Sequence, residues 1–260
     1  MINQQMILSD DELMRYSRQI LLDEWDLPAQ IRLKNSHAII VGMGGLGCPI
    51  TQILVRSGIG RLTIIDNDTV EASNLQRQLL YTSDDIGRTK VEAAKEKLHK
   101  ENGFCYIDTS TEQVCANWSP EYLSEVDLLI DCTDNFVVRD VLNTICRRRG
   151  VPLLSTAAIA QTGQVALYTA QTGCYQCVFA DEGDDEQNCA NSGVLASTVA
   201  VIGAMAAQLA LVFLAKGINP IANQLVVWQG ATMRLQHYQF YANPDCAVCA
   251  LTDWQKVQDC

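Results

Sequence analysis

The stretch Ala38-Ile39-Ile40-Val41-Gly42-Met43-Gly44-Gly45-Leu46-Gly47 decides the fold. A short β-branched run passes directly into a G-x-G-x-x-G turn, and a helical stretch, residues 46–57, follows it. The glycines allow a tight turn and close approach of backbone to phosphate, while the helix N-terminus offers unpaired N–H groups and a partial positive charge. Asp66 closes the next apolar run, 19 residues after Gly47, where a carboxylate accepts hydrogen bonds from ribose hydroxyls. Strand, turn, helix, strand and acid in this order predict an adenosine-nucleotide site.

The same alternation continues outward. Apolar runs at residues 37–41, 61–65, 104–107 and 127–130 read as buried parallel strands, separated by helical stretches at 46–57, 89–100 and 135–149. They predict a doubly wound, mostly parallel α/β sheet with right-handed crossovers. At the N-terminal end Ser9 is placed to cap a helix whose apolar face would carry Leu13, Tyr16, Ile20 and Leu21. After about Pro152 the character changes. Strands are expected at 151–155 and 163–169, and a hairpin of 224–228 with 233–238 turning near Gln229-Gly230, giving a mixed or antiparallel C-terminal half. Residues 194–215 carry no formal charge and would make a helix of about 33 Å. Their Ala and Gly content, with Ser197, Thr198 and Gln208 and no flanking aromatic belt, favours a buried core helix over a membrane span.

With 260 residues, 48% hydrophobic and 19% charged, the chain can bury a core without disulfides, so its 11 cysteines need another explanation. Their odd number, and an N-terminus without a basic n-region, imply a cytoplasmic setting where grouped cysteines bind metal or do chemistry. Thirty acidic against 19 basic residues, net −11, exclude nucleic acid or an anionic membrane as the main partner. The glycine fingerprint alone would suit an NAD-dependent oxidoreductase. Against that, His37, His99 and His237 lie in no catalytic pattern, and Asp68, Arg77 and Lys90 follow Asp66. Two cations exceed what a backbone-held pyrophosphate needs; they suit a triphosphate whose charge grows as pyrophosphate leaves.

Cys174-Tyr175-Gln176-Cys177 and Cys246-Ala247-Val248-Cys249 are two C-x-x-C pairs with 68 residues between them. Tetrahedral zinc takes four thiolates from two such knuckles, with a redox pair as the competing reading. Cys189 sits in an acidic polar stretch, residues 181–191, that reads as a loop with an accessible thiol. Cys48, Cys105, Cys115, Cys132 and Cys146 read as small buried hydrophobes, and Cys260 is terminal.

Four motifs together, Arg15-Tyr16-Ser17-Arg18-Gln19, the glycine turn, Ser73-Asn74-Leu75-Gln76-Arg77-Gln78 and Asp131-Cys132-Thr133-Asp134-Asn135, resemble the ThiF/MoeB/HesA family, bacterial relatives of ubiquitin-activating enzymes. The resemblance runs from Leu13 to Ala250. It implies a single domain over residues 1–260, with a nucleotide-binding half (about 1–152) and a carrier-binding, zinc-holding half (about 153–260). It implies an enzyme that uses ATP and magnesium to adenylate the C-terminal glycine of a ubiquitin-like sulfur carrier of ThiS or MoaD type, ending in Gly-Gly. Thiamine or molybdenum-cofactor synthesis would be the destination, and a sulfurtransferase or cysteine desulfurase the sulfur source. Carried over, Gly42, Gly44, Gly45 and Gly47 meet the phosphates, Asp66 holds the ribose, and Asp68 and Gln76 complete the nucleotide set. Asn74, Arg77 and Lys90 contact phosphates, Asp134 takes magnesium, Arg18 completes the neighbouring site of a homodimer, and Cys189 handles sulfur. Zinc on Cys174, Cys177, Cys246 and Cys249 is structural. Blander readings stand beside these: a solvated Arg18, a surface Lys90, an N-capping Asp134. Rivals are a tRNA threonylcarbamoyladenosine-type dehydratase of the same fold, the oxidoreductase, and a nucleotide-sensing module.

Overall fold

The computed structural model describes residues 7–118, 120–179 and 193–251. In chain order the elements are α1 (Asp10–Ile20), α2 (Leu27–Lys34), β1 (His37–Val41), α3 (Gly47–Ser57), β2 (Arg61–Ile65), α4 (Lys90–Glu101), β3 (Tyr106–Ser110), β4 (Leu128–Asp131) and α5 (Phe136–Arg149). Then come β5 (Leu153–Ile159), β6 (Thr162–Tyr168), the short α6 (Tyr175–Phe179), the long α7 (Ala196–Lys216), β7 (Gln224–Gln229) and β8 (Arg234–Gln239). The eight strands form one sheet in the order β3-β2-β1-β4-β5-β6-β7-β8. The first five are parallel, and β6, β7 and β8 add antiparallel, the mixed sheet expected.

Strand β1 shows why the parallel part holds together. Ala38 and Ile40 face one hydrophobic cluster, shared with α3, α4 and α7, and Ile39 and Val41 face the other, shared with α5. All four are at most 3% exposed, which is why the strand reads as an unbroken apolar run rather than an alternating one. Helix α7 packs on α2, α3, β5 and β6. Gly203 permits that closeness: a Cβ there would lie 2.4 Å from Cγ of Pro49 on α3. The β7–β8 hairpin turns at Gly230–Thr232, with Met233 in the left-handed region at φ 53°.

The N-terminal helix departs from its expected face. Leu13 and Leu21 are exposed, and the buried members of α1 are Tyr16 and Glu12. Ser9 and Glu12 form a capping box, and Lys34 of α2 closes on Glu12 at 2.5 Å. A charged side chain can thus replace an apolar one because α2, capped by Asp26 with Pro28 in its first turn, brings the counter-ion. Burial raises the Glu12 pKa, but Lys34 and the Ser9 N–H and hydroxyl outweigh it and hold the carboxylate below its ordinary range.

Candidate active site

A cleft of about 660 Å³ opens at the C-terminal ends of β1 and β4, where the strand order reverses between β2-β1 and β4-β5. Open α/β sheets bind ligands at this switch point. The glycines divide the labour there. Gly42, at φ +95°, leaves β1 with its N–H on Ile65 O (2.8 Å), and a Cβ would strike Cys132 O at 2.9 Å. At Gly47 a Cβ would lie 2.1 Å from Gly42 O, so this glycine closes the turn on itself and does not line the cleft. Gly42, Gly44 and Gly45 do line it.

The acids and cations expected from the motifs meet in this cleft: Asp66, Asp68, Asn74, Gln76, Arg77, Lys90 and Asp134 all line it. Asp66 Oδ2 accepts the Met43 N–H at 2.6 Å and Oδ1 the Asp68 N–H at 2.8 Å, so the carboxylate shapes the turn as well as facing the cleft. Lys90, 6% exposed, sits under the cleft and donates to Asp68 Oδ2 at 2.7 Å, while the Asp68 side chain remains open to solvent. The surface reading of Lys90 therefore fails. Buried Asn74 accepts the Glu71 N–H at 3.2 Å, and half-buried Arg77 donates to Ser73 O at 3.2 Å. Asp134 is exposed in the cleft and is not the cap of α5; Asn135 is, accepting the Val138 N–H at 3.1 Å. Arg18 is exposed on α1 and does not line this cleft.

Asp131, Arg139, Tyr81 and Gln78 shape the site in ways the sequence did not announce. Asp131, 1% exposed at the end of β4, accepts from the Thr133 N–H (2.9 Å) and hydroxyl (2.7 Å), with Arg139 Nε 3.6 Å away. Burial raises the Asp131 pKa, opposed by Arg139 and Thr133. Arg139 Nη2 also donates to Thr133 O at 2.7 Å, pinning the loop that carries Asp134. Tyr81 donates to Met43 O (3.1 Å) and Lys90 O (3.2 Å), tying glycine turn to α4. Gln78 is buried against Gly44. The Asp131 motif was visible, but its burial depends on Arg139 folding back from α5.

The Sγ atoms of Cys174, Cys177, Cys246 and Cys249 lie within 4.8 Å of one another. Three of the separations are 3.8, 3.7 and 3.5 Å. A tetrahedron with the roughly 2.3 Å Zn–S bond has edges of about 3.8 Å, so the four thiols fit a tetrahedral ion. Burial works against the Cys177 thiolate, yet N–H groups of the Asn243 and Cys174 segments and the neighbouring thiols hold its pKa below the ordinary value. Asn143 of α5 donates to Cys174 Sγ at 3.6 Å and accepts the Tyr175 N–H at 3.1 Å, orienting this knuckle. Cys48, Cys105, Cys132 and Cys146 are buried as expected, and burial lifts the Cys48 and Cys105 thiols to about 12. Cys115 is exposed, because it lies in a turn after β3 rather than in a core element. Cys189 and Cys260 lie outside the described residues.

Residues 16–248 match the ThiF family. The chain belongs to that family. Among ThiF-family relatives, it is 39% identical over 244 residues to the molybdopterin-synthase adenylyltransferase of Escherichia coli (strain K12), a match covering 93% of this chain and 98% of that protein. It is 34% identical over 244 residues to the sulfur carrier protein ThiS adenylyltransferase of the same strain, covering 93% and 97%. The ThiF-family fold is also that of E. coli MccB crystallised with ATP, at TM-score 0.80 and 28% identity over 90% of this chain and 73% of that one.

Proposed function

We propose that the chain is an ATP-dependent adenylyltransferase acting on the C-terminal glycine carboxylate of a ubiquitin-like sulfur carrier of MoaD or ThiS type. The observation that carries this reading is the meeting, in one switch-point cleft, of the glycine turn, Asp66, two cations and the Asp134 carboxylate. The carboxylate oxygen would bond to the α-phosphorus as the bond to the β-phosphate breaks, and pyrophosphate leaves with the electron pair. One anion must approach another, so charge has to be offset before alignment matters. Arg77 and Lys90 offset it, Asn74 and the turn's N–H groups orient the phosphates, and Asp66 positions the ribose. Asp134, exposed in the cleft, would hold magnesium, which when bound neutralises phosphate charge.

Arg18 is exposed and does not line the cleft of its own chain, and the same helix and its exit expose Met14, Leu21 and Leu22. A second copy docked there would cover these side chains and receive Arg18, which is the homodimer we propose. Zinc on the four cysteines would leave no open position and so serve structure. Cys189 is the proposed sulfur-handling thiol, and a sulfurtransferase or cysteine desulfurase the proposed donor partner. The greater identity to the molybdopterin-synthase enzyme puts a MoaD-type carrier first in the order of testing. The test is ATP–pyrophosphate exchange with and without a carrier ending in Gly-Gly. Exchange only with carrier supports the reading, and cofactor reduction without ATP would restore the oxidoreductase.

A further inference from the structure

Helix α5 buries an asparagine in its interior. Asn143 is 2% exposed, between Leu142 and Cys146, which are buried with it. Asparagine is a weak helix former, and a buried amide costs stability unless its ends are matched. Here both ends are matched. The Tyr175 N–H, which can only donate, lies 3.1 Å from Oδ1, and this fixes Nδ2 on Cys174 Sγ at 3.6 Å. The amide grips two successive residues of the first cysteine knuckle, one by its backbone and one by its sulfur.

The sulfur contact answers an electrostatic need. Four thiolates around a divalent ion leave a surplus of negative charge, and Cys174 and Cys246, 1% and 5% exposed, are out of reach of the water that would offset it. Donors within the fold have to do so. The Asn243 N–H gives one to Cys177 Sγ at 3.3 Å, and Asn143 gives one to the more deeply buried Cys174. Arg147, one turn further along α5, holds the chain entering the same knuckle by other means: Nη1 donates to Thr169 O at 2.7 Å and to Thr172 O at 3.4 Å. Both of these bonds end on carbonyls, not on sulfur. We infer that Asn143 is a positioning residue for an ion in the cysteine cluster, its amide N–H drawing charge from the Cys174 thiolate and so setting how tightly the ion is held.

This inference rests on the zinc reading of the four cysteines. Its test compares the full-length wild type, Asn143→Leu and Arg147→Met, each loaded with zinc and, separately, with cobalt(II). A competing chelator withdraws the zinc, and the cobalt form is read by its sulfur-to-metal charge-transfer band. Asn143→Leu is expected to hold zinc about tenfold to a hundredfold less tightly, the usual effect of losing a partner that orients a metal ligand. Its cobalt band should move to longer wavelength, because a sulfur relieved of an N–H gives up electrons more readily. Arg147→Met should lose thermal stability while keeping the zinc affinity and the band of wild type. Asn143→Ala takes the place of Asn143→Leu if that variant does not fold. A band that stays in place in the Asn143 variant, or that moves equally in the Arg147 variant, overturns the role of Asn143 and leaves the zinc reading standing. A wild-type protein that takes up neither metal on the four cysteines overturns both.

Discussion

The nucleotide cleft and the cysteine cluster are assembled by opposite means. The cleft's cations and acids come from segments already held by backbone contacts: Lys90 N–H on Asp68 O at 3.0 Å, Asp66 on two N–H groups, Gly42 on Ile65. The cysteine cluster joins two knuckles with 68 residues between them in the chain, and its four thiols converge on one another with the Asn243 N–H and the Asn143 amide directed at them. The cleft is thus built by bonds within the fold, while the cluster offers four thiols that a tetrahedral ion would tie together. Losing one side chain from the cleft should cost chemistry and little stability; losing the ion should cost stability first.

The sharpest way to break that contrast is metal removal. Tying Cys174 to Cys249 restricts the unfolded chain by about 4 kcal/mol if the tie acts as a cross-link, so chelation should lower stability by that order, read by thermal unfolding alongside elemental analysis. Unchanged melting after zinc is removed, or a folded protein that never contained zinc, would remove the cluster's structural role. Next in size, Arg77→Ala should lower pyrophosphate exchange roughly a hundredfold, about 3 kcal/mol, with a melting temperature close to wild type. A variant that loses stability instead would make Arg77 part of the scaffold. Gly47→Ala is the intermediate case: with Gly42 O only 2.1 Å from the new Cβ, the turn must shift, and about 1–3 kcal/mol of stability should go with it.

The smallest effect is at Glu12, remote from both regions. Its native pKa is lowered, so its contribution is complete above the ordinary glutamate range and is lost as pH falls through the lowered native value. Glu12→Gln should therefore be less stable than wild type by about 1 kcal/mol at neutral pH, and the gap should close in acid denaturation at low pH. A gap that persists there would assign the effect to packing.

What could be read in advance follows the same division. The end of β1, the turn and Asp66 were legible because each depends on neighbours in sequence: Gly42 needs its positive φ, and Asp66 bonds Met43 of the turn itself. The four cysteines were legible as two C-x-x-C pairs through their spacing, and the fold brings their thiols within 4.8 Å of one another. The face of α1 was not, since Glu12 could be buried only after α2 delivered Lys34, and α2 has no apolar periodicity to announce it. Arg139 was hidden for a similar reason. It lies in the first turns of α5 as one more charged helix residue until the fold sets it against Asp131 and Thr133. Helix α7 could have been a membrane span by composition; its packing against α3 and the sheet shows a core helix.

The measurement that bears most directly on the central claim is ATP–pyrophosphate exchange by the purified protein against carriers of the two types, each with its C-terminal Gly-Gly intact or removed. The account predicts exchange that depends on magnesium and on an intact Gly-Gly, and that falls about a hundredfold in Arg77→Ala. Exchange that proceeds equally without a carrier, or none with any carrier although ATP binds, would contradict it.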